Sequence, residues 1–394
     1  MLFQVLDNKQ ECRGVYCDGQ VVQDYKNKQL DLTHSWAPSV HFRDRKIEYA
    51  QLWSAGKSLK EICPEEFLTA YSFLDKKARS FLKSFSTAKI NLNDVCFYDL
   101  VPSDFLADFY QIKNDITQSV FENCEKPKNY DFLHDLSYLL IDIKNRNLNI
   151  DLKNINLTGP TARQGLNKLS NNSNNVVYNP WTTVTGRLTT EKNSFPILTI
   201  NKELRSAVKP QNDCFVELDY NAAEVRVLFG LLGEKQPDED IHEWISKNIF
   251  RSKYDREGTK KKVFSWLYNP KAKNKKLNDY IDRDMIYNQY YVNGSVVTPY
   301  DRTIEVDDSK ALNYLIQSTS SDMFLTSAIK VNKLLQDKKS FISFCIHDSL
   351  VLDLSLEDRE LLTNINKIFS STRFGDIRTN LSIGKDFGQM KRVA

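Results

Sequence analysis

One stretch constrains this chain more than any other: Cys214-Phe-Val-Glu-Leu-Asp-Tyr-Asn-Ala-Ala-Glu-Val-Arg-Val-Leu-Phe229. Phe215 to Leu218 reads as a short buried strand that stops at Asp219. From Ala222 to Leu232 the apolar residues Ala222, Val225, Leu228, Phe229 and Leu232 recur at helical spacing. An acid at the exposed end of a buried strand, followed at once by a turn, suits a metal ligand better than a packing residue. A second apolar segment, Phe341 to Asp353, carries Asp348 between two strand-like runs. Two such carboxylates on neighbouring strands suit a pair of Mg²⁺ ions serving an in-line phosphoryl transfer.

At 394 residues the chain has room for two or three domains with real cores. A net charge of +3 neither demands nor excludes a nucleic-acid partner. The location of the charge says more: Lys260 to Lys262 and Lys271 to Lys276 form a basic cluster interrupted by Trp266 and Tyr268. Seven scattered cysteines point to a reduced compartment, not a disulfide framework. Cys12 and Cys17 resemble half of a zinc site, but no second pair follows at suitable spacing. The start, Met1-Leu-Phe-Gln-Val-Leu, lacks the basic and long apolar regions of a signal peptide, and no stretch reads as a membrane span. A cytoplasmic protein is expected.

In chain order, residues 1–25 read as short strands with a hairpin turn at Asp18-Gly19. Helices are expected over 48–59, 64–85, 105–121 (with Ser103 as N-cap) and 130–144. Leu166 to Asn175 is polar and turn-rich, a flexible loop by composition. In the second half, Arg256, Lys260, Phe264 and Tyr268 fall at four-residue intervals, so one helix face presents two cations and then two aromatic rings. Cations can neutralise a triphosphate and the rings can pack on a base. The same pattern also suits a solvated basic face merging into a core face. Thr185, Gly186 and Arg187 sit amid small hydroxyl residues, a composition suited to close approach of a phosphate backbone and equally to an ordinary glycine turn.

Four ordered blocks resemble those of family A (Pol I-like) DNA polymerases. Thr185-Gly-Arg187 resembles the T-G-R element, and Asp219 to Arg226 resembles motif A. Arg256 to Tyr268 has the R-x3-K-x3-F-x3-Y spacing of motif B, and His347-Asp348 resembles motif C. Asp240-Ile-His242, Asn313-x3-Gln317 with Asp322, and Ile383 to Phe387 are smaller echoes. The resemblance implies that Asp219, Asp348 and the Tyr220 carbonyl ligate two Mg²⁺ ions. It implies that Arg256, Lys260 and His242 hold dNTP phosphates, and that Phe264 and Tyr268 pack against the incoming nucleotide and template base. Glu224 would exclude a ribose 2′-OH. Thr185, Gly186, Arg187, Arg205, Asn313, Gln317 and His347 would touch primer-template DNA.

The implied fold is α+β: a right-hand polymerase with an antiparallel-sheet palm, helical fingers inserted at about 234–300, a reduced thumb and a small N-terminal domain. The expected divisions are 1–104, a structural or partner-docking domain or exonuclease relic; 105–178, the helical thumb remnant or connector; and 179–394, the palm with its fingers. Residues 1–102 hold no Asp-x-Glu pair of a two-metal exonuclease, and Tyr71-x3-Asp75 matches only one motif of that fold. A compact phage-type enzyme, acting in the host cytoplasm with a processivity or exonuclease partner, fits this economy. Three departures stand out: Ala222-Ala223 replaces Gln-Ile in motif A, Ser349 follows His-Asp in place of Glu, and Asn269-Pro270 follows Tyr268 in place of Gly. The serine resembles single-subunit RNA polymerases, so RNA synthesis is the alternative chemistry. An inactive DNA-binding factor of polymerase shape is the alternative without chemistry.

Overall fold

A computed structural model describes residues 1–6, 14–23, 25, 30–92, 95–153, 165–166, 169, 173–269 and 271–393. They form two compact units, Met1–Ile141 and Asp142–Ala394. Cys12 and Pro270, and much of the loop expected over 166–175, lie outside the described residues. No helix among the described residues is long and apolar enough to cross a membrane.

The first unit opens with a three-stranded antiparallel sheet of β1 (Phe3–Val5), β2 (Val15–Cys17) and β3 (Gln20–Val22). Asp18 and Gly19 join β2 to β3 with φ of 50° and 75°, the left-handed pair that a two-residue hairpin needs. The helix expected over 48–59 is instead two single turns, Ala50–Trp53 and Leu59–Ile62. Ala55 and Gly56, at φ of 52° and 79°, break it, and Ser58 starts the second turn with a capping box to Glu61. Next come α1 (Glu65–Thr87) and α2 (Ser103–Asn123), which bury Tyr71, Leu74 and Ala78 against Phe105, Ile112 and Ile116. Ser103 is the first helical residue; the cap position falls to Pro102, whose missing N–H costs nothing there. From α3 (Tyr130–Lys144), the Tyr130 hydroxyl accepts the Tyr49 backbone N–H at 2.8 Å. Asp75, the exonuclease-like acid, is paired with Arg79 at 2.7 Å. Cys63, Cys124, Cys214 and Cys345 are free thiols, whereas Cys96 is in a disulfide, which departs from an all-reduced set.

The second unit is built around β4 (Cys214–Tyr220) and the elements that follow it. In order these are α4 (Ala223–Leu231), α5 (Ile241–Asn248), α6 (Arg256–Tyr268), α7 (Lys275–Tyr280) and α8 (Arg283–Tyr290). A small sheet of β5 (Tyr291–Val292), β6 (Ser295–Val297) and β7 (Thr303–Glu305) leads into the long α9 (Asp308–Leu334). The chain then adds β8 (Phe341–Ile346), β9 (Ser349–Leu354), α10 (Leu362–Ser370), β10 (Thr379–Gly384) and β11 (Lys391–Arg392).

The main sheet has the order β8-β9-β4-β10-β11, antiparallel throughout, with β4 in the middle. Alternation along β4 separates two faces. On one, Tyr220 stacks on Phe369 of α10 at 4.4 Å and donates its hydroxyl to the Phe369 carbonyl at 2.7 Å. On the other, Phe215 meets Phe344 at 5.8 Å, and Glu217 and Asp219 follow at two-residue steps. Phe215, Val216, Leu218, Leu350, Val351 and Leu352 have no exposed surface. Each such side chain contributes roughly 1.5–3 kcal/mol by burial, so the strand that carries the acid is among the least deformable parts of the unit.

Candidate active site

The register of the sheet brings Asp219 and Asp348 to the same end. Asp219 lies opposite Ser349 on one side and Asn380 on the other, and Asp348 immediately precedes Ser349. The Ser349 hydroxyl donates to one Asp219 oxygen at 3.0 Å and the Asn380 amide to the other at 3.2 Å. His347 and Asp348 form the two-residue turn between β8 and β9. His347 adopts φ of 55° there, where such hairpins favour glycine. A non-glycine residue in that region costs about 1–2 kcal/mol, which the buried ladders on both sides sustain.

Burial, and then the charge of Asp348, push the Asp219 carboxyl up to about 6. Asp348 is raised too, by burial, against the lowering pull of its own backbone N–H, His347, Arg187 and Lys260. Glu217, on the same face of β4 as Asp219, is also raised, first by burial, while Ser349 and Arg205 oppose the shift. A cavity of about 450 Å³ opens beside this end of the sheet. Its lining includes Arg187, Glu224, Phe264, Tyr268, His347 and Asp348.

The Thr185–Arg187 turn is held from behind. Gly186 has φ of 74°, and a Cβ there would lie 2.5 Å from the Arg302 guanidinium. Arg302 donates two hydrogen bonds to the buried Asp322, at 3.0 and 2.8 Å, and the Ser321 hydroxyl donates to the Gly186 carbonyl at 2.9 Å. Only glycine fits this conformation and this contact together. The turn projects Arg187 onto Glu224 of α4, and the two form an ion pair across the cavity wall.

On α6, Phe264 and Tyr268 stack at 5.8 Å with their rings 9° from parallel. Lys260 is exposed and makes no ion pair among the described residues, whereas Arg256 is engaged. Arg256 Nε and one terminal nitrogen donate to Asp240 at 3.0 and 2.9 Å, and its other terminal nitrogen pairs with Glu257 at 2.8 Å. Burial works to raise Asp240, but hydrogen bonds from Asn221 and Arg256 prevail and hold it at about 2. Asn221, just past Asp219, donates to Asp240 at 2.8 Å and accepts the Ile241 N–H at 2.9 Å.

Arg226 is fully buried and turns away from Glu224. It donates to both Asn221 oxygens and to the carbonyls of Pro237 and Glu239. A polar network thus links the turn after Asp219 to the start of α6. Sequence reasoning passed over Asn221 and Arg226, and treated Asp240 only as an echo. The signal for Asp240 was present, since Asp240 followed by Glu243 has N-cap spacing. Glu217 was equally visible, two residues from Asp219 in a period-2 strand.

The remaining candidates sit differently. His242 is 1% exposed, lies 5.9 Å from the Phe264 ring, and has no hydrogen-bond partner among the described residues for either ring nitrogen. Burial drives it down to about 4, so it is neutral near pH 7 and is not presented to the cavity. Arg205 lies over the Phe387 ring at 4.9 Å. Asn313 and Gln317 are half-buried on α9, with the Asn313 amide 3.5 Å from the Tyr268 carbonyl.

No group of three or more His, Cys, Asp or Glu side chains among the described residues is arranged to hold a metal. Two half-buried carboxylates, the charge of Asp348 raising Asp219, nevertheless suit a hard divalent cation, which would relieve that repulsion. Mg²⁺ commonly takes only one or two protein carboxylates and fills its shell with water and phosphate oxygens.

No family model matches the chain, and no curated protein matches it. Among solved structures it is similar to the POL domain of Pol1 from M. smegmatis, in complex with DNA primer-template and dNTP. The TM-score is 0.47 at 16% identity, and the match covers 82% of this chain and 66% of that one.

Proposed function

We propose that this chain synthesises DNA on a template, adding dNTPs to a primer 3′-OH by two-metal nucleotidyl transfer. The observation that carries this reading is the meeting of Asp219 and Asp348 at one strand end, beside a cavity that Phe264 and Tyr268 also line. In this reading the main sheet is the palm, residues 234–300 are the fingers, and the thumb is reduced. Mg²⁺ held by Asp219, Asp348 and the Tyr220 carbonyl would activate the 3′-OH and neutralise the leaving pyrophosphate.

The chain's own residues do the rest. Lys260, with Arg256 once its guanidinium is drawn off Asp240, binds the triphosphate. Phe264 and Tyr268 offer the nascent base pair a flat surface. Glu224, fixed by Arg187, occupies the space of a ribose 2′-OH. Arg187, Arg205, Asn313, Gln317 and His347 position primer and template, with Thr185 and Gly186 shaping the turn. His242 acts from beneath Phe264, as a support for the ring and not as a phosphate ligand. The first unit serves as a docking or structural domain. A partner supplies the grip that a full thumb would give, and no proofreading activity is built in.

Ser349, which donates to Asp219 where the family has Glu, favours RNA synthesis as the second reading. Primer extension with dNTPs and then rNTPs, on wild type and Asp348→Asn, tests both. The expected result is extension with dNTPs that Asp348→Asn abolishes. Equal extension by the variant ends the proposal, and a preference for rNTPs moves it to the second reading.

A further inference from the structure

Residues 251–276 hold ten Lys and Arg against two acids, in a chain whose net charge is only +3. Both acids are already occupied. Asp255 caps α6 by accepting the Gly258 N–H at 2.8 Å, and Glu257 pairs with Arg256. Arg251, Lys253, Lys261, Lys262, Lys273 and Lys275 therefore make no ion pair among the described residues, and all are exposed. Elsewhere in this unit two exposed lysines do pair with carboxylates, Lys247 with Glu239 and Lys339 with Glu357, each at 2.6 Å. A solvated surface normally mixes charge signs in that way.

These cations do not share the cavity face of α6. At 3.6 residues per turn, Lys262 points roughly 200° around the helix from Lys260. It lies instead 5.9 Å from the Tyr254 ring, which Lys253 also approaches at 5.5 Å. Tyr254 packs edge-on to Phe250 at 5.2 Å, and Lys276 of α7 donates to the Phe250 carbonyl at 3.1 Å. Lys253, Lys262 and Phe250 thus meet at the Tyr254 ring, with α7 tied to the Phe250 carbonyl beside it. The turn between α5 and α6 has two successive left-handed side-chain residues, Arg251 and Ser252, at φ of 55° and 57°. Few L residues adopt that conformation. A 2.7 Å bond from Ser252 N–H to the Ser246 carbonyl helps to hold it.

We infer that this flank, away from the cavity, holds a single-stranded nucleic-acid tract, its phosphates on Lys253, Lys262 and the α7 lysines and one base against Tyr254. Cations interleaved with an aromatic ring are what a single strand needs, since every base has a flat face to stack. Phosphates draw the ammonium groups off the ring and free it. The inference deepens the proposed reaction by giving the strand a second point of attachment, but it does not require catalysis.

The test is fluorescence anisotropy of a labelled 20-nucleotide oligo-dT from 50 to 200 mM salt, on wild type and on the Lys253→Gln/Lys262→Gln/Lys275→Gln variant. The expected result is at least a tenfold loss of affinity and a salt slope shallower by about 2, at roughly 0.7 per phosphate released on a single strand. Restoring Arg at the three positions should recover both. Extension of a primer whose template overhangs by one nucleotide should be unchanged, which shows an intact fold. Asp348→Asn should keep oligo-dT binding while losing synthesis, so failure of the reaction and failure of this surface read out separately. Unchanged affinity and slope, an equal loss of duplex binding, or equal displacement of the oligonucleotide by polyglutamate would each overturn the inference.

Discussion

In the proposed reaction the acids on the sheet and the cations on α6 serve one site, but they are held on different terms. Asp219 stands on a strand whose neighbours have no exposed surface, Asp348 in the tight turn beside it; burial raises both carboxyls, and the charge of Asp348 raises Asp219 further. Arg256 is held by two carboxylates that other contacts can replace, and Lys260 is free among the described residues. The acidic wall is rigid and under electrostatic strain; the basic wall is adjustable. A site that must fix metal positions, yet admit and release a charged substrate, gains from that division.

The largest way to break the comparison is at Asp219. In the proposed reaction, Asp219→Asn removes one half of a metal clamp that contributes several kcal/mol in the transition state. At 1.36 kcal/mol per tenfold, synthesis should fall by about 10³-fold or more. Lys260→Gln should cost only about 10- to 100-fold in kcat/KM, the scale of one charge-assisted contact, with Tm unchanged. Arg256→Gln should lower stability as well, by about 1 kcal/mol because the pair is partly exposed. Steady-state kinetics with thermal melts measures all three. Equal losses at Asp219 and Lys260 would erase the distinction between the walls.

The acidic wall should also titrate. The folded Asp219 carboxyl, at about 6, lies above its ordinary value of 3.8. The folded, metal-free protein therefore binds the extra proton between those values. Its contribution to stability is greatest at low pH and is lost as pH rises through about 6, by at most about 3 kcal/mol. Cation binding runs the other way, because protonation removes the ligand. Synthesis at limiting Mg²⁺ should thus fall about fivefold from pH 6 to pH 5, and added Mg²⁺ should move that limb to lower pH. A flat profile over this range would show that Asp219 titrates as an ordinary exposed acid.

How much of this was legible depended on the range of the interactions. The strand ending at Asp219 and the helix after it could be read because alternation and helical spacing are local. The Asp18-Gly19 turn could be read because its residues carry their own conformational preference. The break at Ala55-Gly56 was missed because apolar spacing continues across it, and only the left-handed backbone interrupts the helix. Arg226 binds carbonyls in the 237–239 loop, which sequence distance does not suggest. The family resemblance assigned His242 to phosphate, yet α6 packs over it. The engagement of Arg256 by Asp240 is likewise tertiary; spacing on α6 predicts a shared face but not who else occupies it.

The smallest effect belongs to the contact that bridges the two kinds of control. Glu224 is an acid on the rigid side, with 12% of its side chain exposed, while its partner Arg187 is 52% exposed and carried on a turn. Burial raises the Glu224 carboxyl, and Arg187 pulls it back down. If Glu224 closes the space a 2′-OH needs, its shape matters more than its charge. Glu224→Ala should then narrow the dNTP-to-rNTP preference by about tenfold, the scale of a small steric discrimination. Glu224→Gln, which keeps the volume, should narrow it far less. Arg187→Ala leaves the glutamate in place but untethered, and should give an intermediate ratio with a weaker hold on primer. Single-nucleotide insertion with matched dNTP and rNTP pairs separates these outcomes. If Gln and Ala behave alike, charge and not volume governs the choice of sugar, and the ion pair with Arg187 becomes the selective element in place of the side chain's bulk.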